Sequence, residues 1–243
     1  MNVSLMITCL CDSFYPEVGE AVVRVLRRSG AQVAFAPEQV CCGQPAFNAG
    51  YHDDARRVAR TFLRAFQDAE YVVSPSGSCA EMVRENFLRL FDTSPAELEQ
   101  ARRLSKKTYE FSEFLVKVLG VTAIGGRFAE VVTYHPSCHM TRLLGVMDEP
   151  LSLLRSINGL ELKELPRAYD CCGFGGTFSV KMPEISEAIV TEKAENVLKS
   201  GAHLLVGADM GCLMNIKGRL EKMGHSLPVM HIAQVIDQAQ GGR

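Results

Sequence analysis

The sequence predicts an α/β protein built from two copies of one unit, each a small parallel sheet with flanking helices, related by a pseudo-twofold axis. Strand and helix patterns alternate along the chain, which is typical of parallel α/β sheets. A Cys-Cys-Gly triplet occurs twice, at residues 41–43 and 171–173. Cys138 follows Cys9 by 129 residues and Cys212 follows Cys79 by 133, so the surrounding cysteines repeat as well. Such repetition indicates internal duplication.

The elements of the first half are predicted from apolar periodicity and turn residues. Strands are expected at residues 3–8, 32–36 and 71–73. Helices are expected from about residue 18 to Gly30, over residues 55–69, and from the small-residue turn at 74–79 to Leu90. A further helix begins at Ser94-Pro95, a serine cap followed by proline at the first helical position. Its apolar spacing predicts that it continues to Gly120.

The second half repeats the pattern. Strands are expected at residues 130–134, 160–165, 203–206 and 228–230. Helices are expected over residues 183–200, after Cys212 and at the end of the chain. We therefore predict two domains, a first repeat with the connecting helix at 1–120 and a second repeat at 121–243.

Composition indicates a compact protein without a nucleic-acid or membrane footprint. Of 243 residues, 47% are hydrophobic, and 26 basic residues nearly balance 28 acidic ones. The first ten residues do not resemble a signal peptide, and no apolar run is long enough to cross a bilayer. We expect a cytosolic protein. Nine cysteines in a reducing compartment favour metal or redox chemistry over structural disulfides.

Adjacent cysteines favour a polynuclear metal centre. A single zinc ion usually takes paired cysteines two to four residues apart, whereas vicinal thiolates can bind different irons of one cluster. Buried small side chains, a vicinal disulfide and a structural zinc site are the competing interpretations. The two matching sets favour iron and sulfur. The predicted ligands are Cys9, Cys41, Cys42 and Cys79 in the first half, and Cys138, Cys171, Cys172 and Cys212 in the second.

Each predicted ligand falls where a strand ends and a helix begins, the edge at which open α/β sheets bind ligands. Free N–H groups at helix N-termini there would favour thiolates and inorganic sulfide. Cys11 has no counterpart in the second half, and we interpret it as a small, partly buried side chain, with a spare ligand beside Cys9 as the alternative. His135 and His139, which flank Cys138, are candidates for a bond to a cluster sulfur or for proton transfer. Their alternative is a structural bond to the backbone.

Four segments carry a family resemblance: residues 41–46, 74–79, 171–181 and 211–214. They resemble the lactate utilization protein A family, also called the YkgE-type iron–sulfur proteins. More widely, they resemble the cysteine-rich CCG domain family, which includes the B-type subunit of heterodisulfide reductase and the iron–sulfur subunit of glycolate oxidase. The likeness covers nearly the whole chain.

The resemblance implies an iron–sulfur electron-transfer subunit of a cytosolic complex that oxidises L-lactate to pyruvate, with a second iron–sulfur protein among its partners. Where the fuller family motif ends each repeat in Cys-x-x-Cys, this chain has Ser76 and Asp209 in place of the earlier cysteine. The resemblance therefore implies an ordinary [4Fe–4S] cluster, one or two per chain. Alternative functions are a thiol/disulfide oxidoreductase of the heterodisulfide-reductase type and a zinc-stabilised interaction protein.

Overall fold

The computed structural model describes residues 1–242, and the chain forms two compact units. The first unit comprises Met1–Leu119, and the second begins at Gly120. Within the described residues, none of the helices combines the length and the apolar character that crossing a bilayer requires.

The first unit contains a four-stranded parallel sheet. Its strands are β1 (Asn2–Leu5), β2 (Gln32–Phe35), β3 (Tyr71–Ser74) and β4 (Thr108–Glu110), in the spatial order β2-β1-β3-β4. Its helices are α1 (Cys9–Phe14), α2 (Pro16–Arg28), α3 (Gln44–Asn48), α4 (His52–Ala65), α5 (Gly77–Glu81), α6 (Phe87–Leu90), α7 (Pro95–Lys107) and α8 (Phe111–Glu113). Two π-helical turns, Met82–Asn86 and Phe114–Val118, continue α5 and α8.

Aromatic side chains pack together in an apolar core of the first unit. Phe62 packs against Phe66 with ring centroids 4.6 Å apart and meets the edge of Phe87 at 5.6 Å. The buried Cys42 belongs to the same apolar cluster, and Cys41 and Cys79 pack against it. Three of the predicted ligands of this unit are therefore supported by an apolar core.

The second unit repeats the architecture. Its strands are β5 (Val131–His135), β6 (Glu161–Lys163), β7 (Leu204–Gly207) and β8 (Val229–His231), all parallel in the order β6-β5-β7-β8. Its helices are α9 (Asp148–Arg155), α10 (Phe178–Lys181), α11 (Pro183–Lys199), α12 (Met210–Lys222) and α13 (Ile232–Ala239), with a π-helical turn at His139–Leu143. The strand order matches that of the first unit, which confirms two α/β repeats with parallel sheets.

One predicted element is wrong. The helix that begins at Pro95 ends at Lys107, and Thr108–Glu110 form β4 instead of continuing it to Gly120. The strand hydrogen-bonds to β3, with Val72 opposite Thr108. The helical spacing of apolar residues continues across Thr108–Glu110 into the next helix, so it gave no sign that the first helix ends. A β-branched threonine followed by tyrosine does favour a strand. Tertiary pairing with β3 decided the conformation.

Shorter differences occur beside the cysteines. β1 ends at Leu5 rather than at residue 8, because the side chain of Thr8 accepts a hydrogen bond from the Cys11 N–H and caps α1. Cys11 itself is fully buried. α3 follows the first Cys-Cys-Gly triplet directly, with Pro45 in its first turn. Each of these helices begins close to a predicted ligand.

Candidate metal centres

The four predicted ligands of the first unit lie at the carboxyl edge of its sheet. Cys9 begins α1 after β1, Cys41 and Cys42 precede α3, and Cys79 lies in α5 after β3. Parallel strands bring these chain segments to one edge. We call this quartet pocket A.

The thiols of pocket A form a chain of hydrogen-bonded neighbours. Cys41 contacts both Cys9 and Cys42, and Cys42 also contacts Cys79. The Gly43 N–H donates to Cys41 Sγ at 3.4 Å. Gly43 has φ of 86°, which is the left-handed conformation that turns the vicinal pair into the pocket. All four predicted cysteines are therefore brought together.

The second quartet, which we call pocket B, has the same arrangement in the second unit. Cys171 contacts Cys138 and Cys172, and Cys172 Sγ lies 2.9 Å from Cys212 Sγ. The Gly173 N–H donates to Cys171 Sγ at 3.3 Å. A Cβ at residue 173 would lie 2.7 Å from the Ser186 carbonyl oxygen, so the close approach of this loop to α11 requires glycine.

Side-chain amides hold the loops of both pockets. Gln44 Nε2 donates to the Ser78 carbonyl at 2.9 Å, which joins the triplet loop of pocket A to α5. Asn215 Nδ2 donates to the Cys172 carbonyl at 2.8 Å, which joins the triplet of pocket B to α12. The four sulfurs of each pocket therefore belong to a connected framework of neighbouring segments.

Hydrogen bonds between neighbouring sulfurs shift the pKa values of the thiols in opposite directions. Hydrogen bonds from Cys42, Cys9 and the Gly43 N–H lower the pKa of Cys41 to about 3. Bonds from Cys138, Cys172 and the Gly173 N–H lower the pKa of Cys171 to about 2. One sulfur per pocket is therefore an anion at neutral pH, held by donors around it.

The neighbouring cysteines show the opposite shift. The hydrogen bond to Cys41 raises the pKa of Cys9 and of Cys42, and burial raises both further. Hydrogen bonds to Cys171 raise the pKa of Cys138 and of Cys172, and burial raises both further. Several negative sulfurs cannot share such a pocket without a compensating cation. A metal centre with thiolate ligands fits this donor set, and each pocket has enough sulfurs for a [4Fe–4S] cluster.

The pockets differ in exposure. In pocket A, Cys9 is exposed and Cys42 is 4% exposed. In pocket B, both Cys172 and Cys212 are buried, and Cys138 and Cys171 are half-buried. Pocket A is thus the more open of the two to solvent.

Pocket B also has buried polar residues at places where pocket A has apolar ones. His135, three residues before Cys138, is 2% exposed, whereas Met6 stands three residues before Cys9. Burial and the charge of Lys193 lower the pKa of His135 to about 3, so its imidazole is neutral. His135, Cys172 and Cys212 place one nitrogen and two sulfurs within 4.8 Å of one another.

Lys193 is the residue that sequence reasoning missed. Gly43 faces Ala55 and Val58 of α4, and Gly173 faces Ser186 and Ile189 of α11, so the two helices align with an offset of 131 residues. This alignment places Lys193, which is 1% exposed, at the position of the core residue Phe62. Comparing the two repeats position by position would have revealed this exchange of an aromatic residue for a cation.

Other polar residues beside the two pockets have structural roles. The Ser76 hydroxyl accepts a hydrogen bond from the Cys79 N–H and caps α5, while Asp209 stands at the corresponding cap of α12. Arg142 donates to the Tyr169 carbonyl at 2.7 Å. The ligand role of the eight cysteines remains a prediction that their geometry allows.

Comparisons with known proteins agree with the duplicated pattern. The model of the cysteine-rich domain CCG matches residues 3–84 and 132–217, one match in each unit. Lactate utilization protein A 1 of Bacillus mycoides (strain KBAB4) is 53% identical over 245 residues, which covers 100% of both chains. Lactate utilization protein A of Bacillus subtilis (strain 168) is 52% identical over 98% of this chain and 99% of the relative.

Among solved structures, a hypothetical protein from Helicobacter pylori has a TM-score of 0.62 at 12% identity. The match covers 100% of this chain and 49% of that chain, so this chain spans about half the length of that protein. At this identity the likeness concerns the fold alone. The family model and the full-length relatives show that the chain belongs to the CCG cysteine-rich domain family, among the lactate utilization A proteins.

Proposed function

We propose that the protein is the iron–sulfur electron-transfer subunit of a cytosolic complex that oxidises L-lactate to pyruvate. The observation that carries the proposal is the assembly of both cysteine quartets, each at the carboxyl edge of its own sheet. The printed names of relatives at 52–53% identity supply the connection to lactate.

The ligands in this proposal are the eight cysteines of pockets A and B. When bound, an iron–sulfur cluster would supply one-electron oxidation and reduction. The chain prepares the sulfurs for metal: Cys41 and Cys171 are already anionic, and the other thiols release their protons when the cation binds. The Gly43 and Gly173 N–H groups stabilise the negative charge that remains on sulfur.

Electrons must enter and leave through other proteins in this proposal. The first βα turn of the chain lacks the Gly-x-Gly-x-x-Gly pattern that binds dinucleotides, so hydride transfer to such a cofactor on this chain is disfavoured. The exposed Cys9 places pocket A near solvent, where a partner can approach. We propose a second iron–sulfur protein of the same complex as that partner.

The test is anaerobic purification followed by iron and acid-labile sulfide assays and electron paramagnetic resonance. We expect about four irons and four sulfides for each occupied pocket. Cys171→Ser should remove the contribution of pocket B alone, while Cys11→Ala, a cysteine outside both quartets, should leave the content unchanged. Zinc without sulfide would contradict the proposal and favour a zinc-stabilised interaction protein.

A second candidate function is disulfide reduction by the thiols themselves. It is favoured by Cys41, an anionic sulfur beside the adjacent thiol Cys42, which resembles the attacking pair of a thiol oxidoreductase. Reduction of a small disulfide by metal-free protein, lost in Cys41→Ser, would support it. Absence of turnover with an excess of reductant would exclude it.

A further inference from the structure

His135 is a buried imidazole without a hydrogen-bond partner. It is the last residue of β5 and is 2% exposed, and neither Nδ1 nor Nε2 has a partner. A buried polar atom left unsatisfied is destabilising, so native structures almost always provide a partner. Among the described residues no side chain or backbone group bonds to the ring, so a bound species outside the protein chain is the expected partner.

The position of the ring indicates what that ligand is. One imidazole nitrogen lies within 4.8 Å of both Cys172 Sγ and Cys212 Sγ. Zinc, for example, binds nitrogen at about 2.0–2.1 Å and thiolate sulfur at about 2.3 Å, so a nitrogen this close to two predicted ligand sulfurs lies within reach of the metal centre that they would hold. Histidine and cysteine are both ligands of iron and zinc.

The geometry points to His135 as a nitrogen ligand of the metal centre in pocket B, which makes its donor set histidine and cysteine while that of pocket A is cysteine alone. The iron–sulfur form of this inference rests on the proposed function, whereas the ligation itself does not. Met6, at the corresponding place beside pocket A, offers only a thioether.

The difference should alter the two centres in a definite direction. A neutral imidazole adds no negative charge, unlike a thiolate, and histidine ligands raise the reduction potential of iron–sulfur centres. Lys193, buried next to His135, adds a positive charge on the same side. We infer that pocket B holds the centre with the higher potential.

The test uses full-length protein labelled with ¹⁵N-histidine, reconstituted anaerobically with iron and sulfide, and studied by pulsed electron paramagnetic resonance. We expect a directly coordinated nitrogen in the wild type. It should disappear in His135→Met, which installs the side chain of the corresponding Met6, and persist in His203→Met, an exposed control. His135→Gln is the second variant if the methionine variant does not fold.

A wild-type spectrum without nitrogen coordination would overturn the inference even if iron and sulfide are present. If no iron–sulfur centre forms, the proposed function fails separately, and the same labelled protein is loaded with Co²⁺. Cobalt bound through nitrogen in the wild type and not in His135→Met would uphold the ligand. Cobalt bound without nitrogen would exclude it.

Discussion

The two units share one topology but differ beneath their cysteines. Pocket A rests on an apolar core in which Phe62 packs against Phe66 and the edge of Phe87, and the buried Met6 stands three residues before Cys9. At the same places, pocket B has the cation Lys193 and the neutral imidazole His135. In the proposed function the duplicated sulfurs are the metal ligands, and the residues behind them differ in charge and polarity. We therefore expect the two proposed centres to have different properties.

Replacing one central cysteine in each pocket should change the metal content most, and it tests whether the two pockets bind metal independently. Cys42→Ser should abolish the iron of pocket A, and Cys172→Ser should abolish that of pocket B, because each removes a buried central sulfur. Each variant should therefore retain about half of the wild-type iron if both pockets are filled. The retained iron is measured by iron analysis and by electron paramagnetic resonance. Loss of all iron from either single variant would show that the pockets do not load independently.

The second test concerns the aromatic core that packs beneath the first Cys-Cys-Gly triplet. Phe62→Ala should cost about 3–5 kcal/mol of unfolding free energy, because it leaves a cavity among Phe66 and Phe87. The measurement is urea unfolding of reduced, metal-free protein. Tyr51→Ala, an exposed aromatic residue of the same unit, is the control and should change stability little. Equal losses in both variants would contradict a stabilising role specific to the buried ring.

The third test concerns the helix cap at the end of each fourth strand. Glu110 caps α8 by accepting from the Ser112 and Glu113 N–H groups, and His231 caps α13 by accepting from the Ala233 N–H. Burial raises the pKa of Glu110 to about 7 from its ordinary 4.5. The folded state then retains a proton that the unfolded chain loses.

Because the folded state retains this proton, the contribution of Glu110 to the free energy of unfolding decreases as the pH rises. Stability should be greatest below pH 4.5 as far as Glu110 is concerned, fall as the pH rises to about 7, and then level off. The total is on the order of 3 kcal/mol, because a difference of one in pKa corresponds to about 1.4 kcal/mol. Comparing urea midpoints of wild type and Glu110→Gln isolates this contribution. A variant with the same pH dependence as the wild type would refute it.

The fourth and smallest effect concerns Lys193. Its ammonium donates to the Arg167 and Ala168 carbonyls at 2.8 and 3.0 Å, which ties the chain before Cys171 to α11. Lys193→Met should cost about 1–3 kcal/mol, because both acceptors lose their donor. Lys199→Met, an exposed lysine of the same helix, should change stability by less than about 1 kcal/mol.

Lys193→Met should also lower the reduction potential of the centre in pocket B, because a nearby positive charge favours the reduced, more negative state. Redox titration followed by electron paramagnetic resonance measures this shift. The centre in pocket A serves as an internal reference and should not move. An unchanged potential in pocket B would show that the buried lysine is structural only.

The duplicated cysteines made much of the architecture predictable. Their nearly constant offsets indicated two repeats, and the alternation of strands and helices indicated parallel sheets. The placement of the ligands at strand ends followed from that topology. The prediction of a helix at Thr108–Glu110 was wrong, because hydrogen bonding to β3 outweighed the helical spacing of the apolar residues.

The polar side of pocket B was less predictable, for a physical reason. A lysine in an amphipathic helix is normally exposed, so periodicity alone assigns Lys193 to solvent. Its burial depends on two carbonyl acceptors that the fold brings from residues 167 and 168. The sequence marked His135 as a candidate beside Cys138, but its missing hydrogen-bond partners became visible only with the sulfurs of Cys172 and Cys212 in place.

The decisive measurement is the iron and acid-labile sulfide content of anaerobically purified wild-type protein, together with its electron paramagnetic resonance spectrum. We expect iron and sulfide in equal amounts, at about four of each per occupied pocket, and a cluster signal on reduction. A protein that carries zinc without sulfide, or remains colourless and free of iron after anaerobic preparation, would contradict the account of the two cysteine quartets.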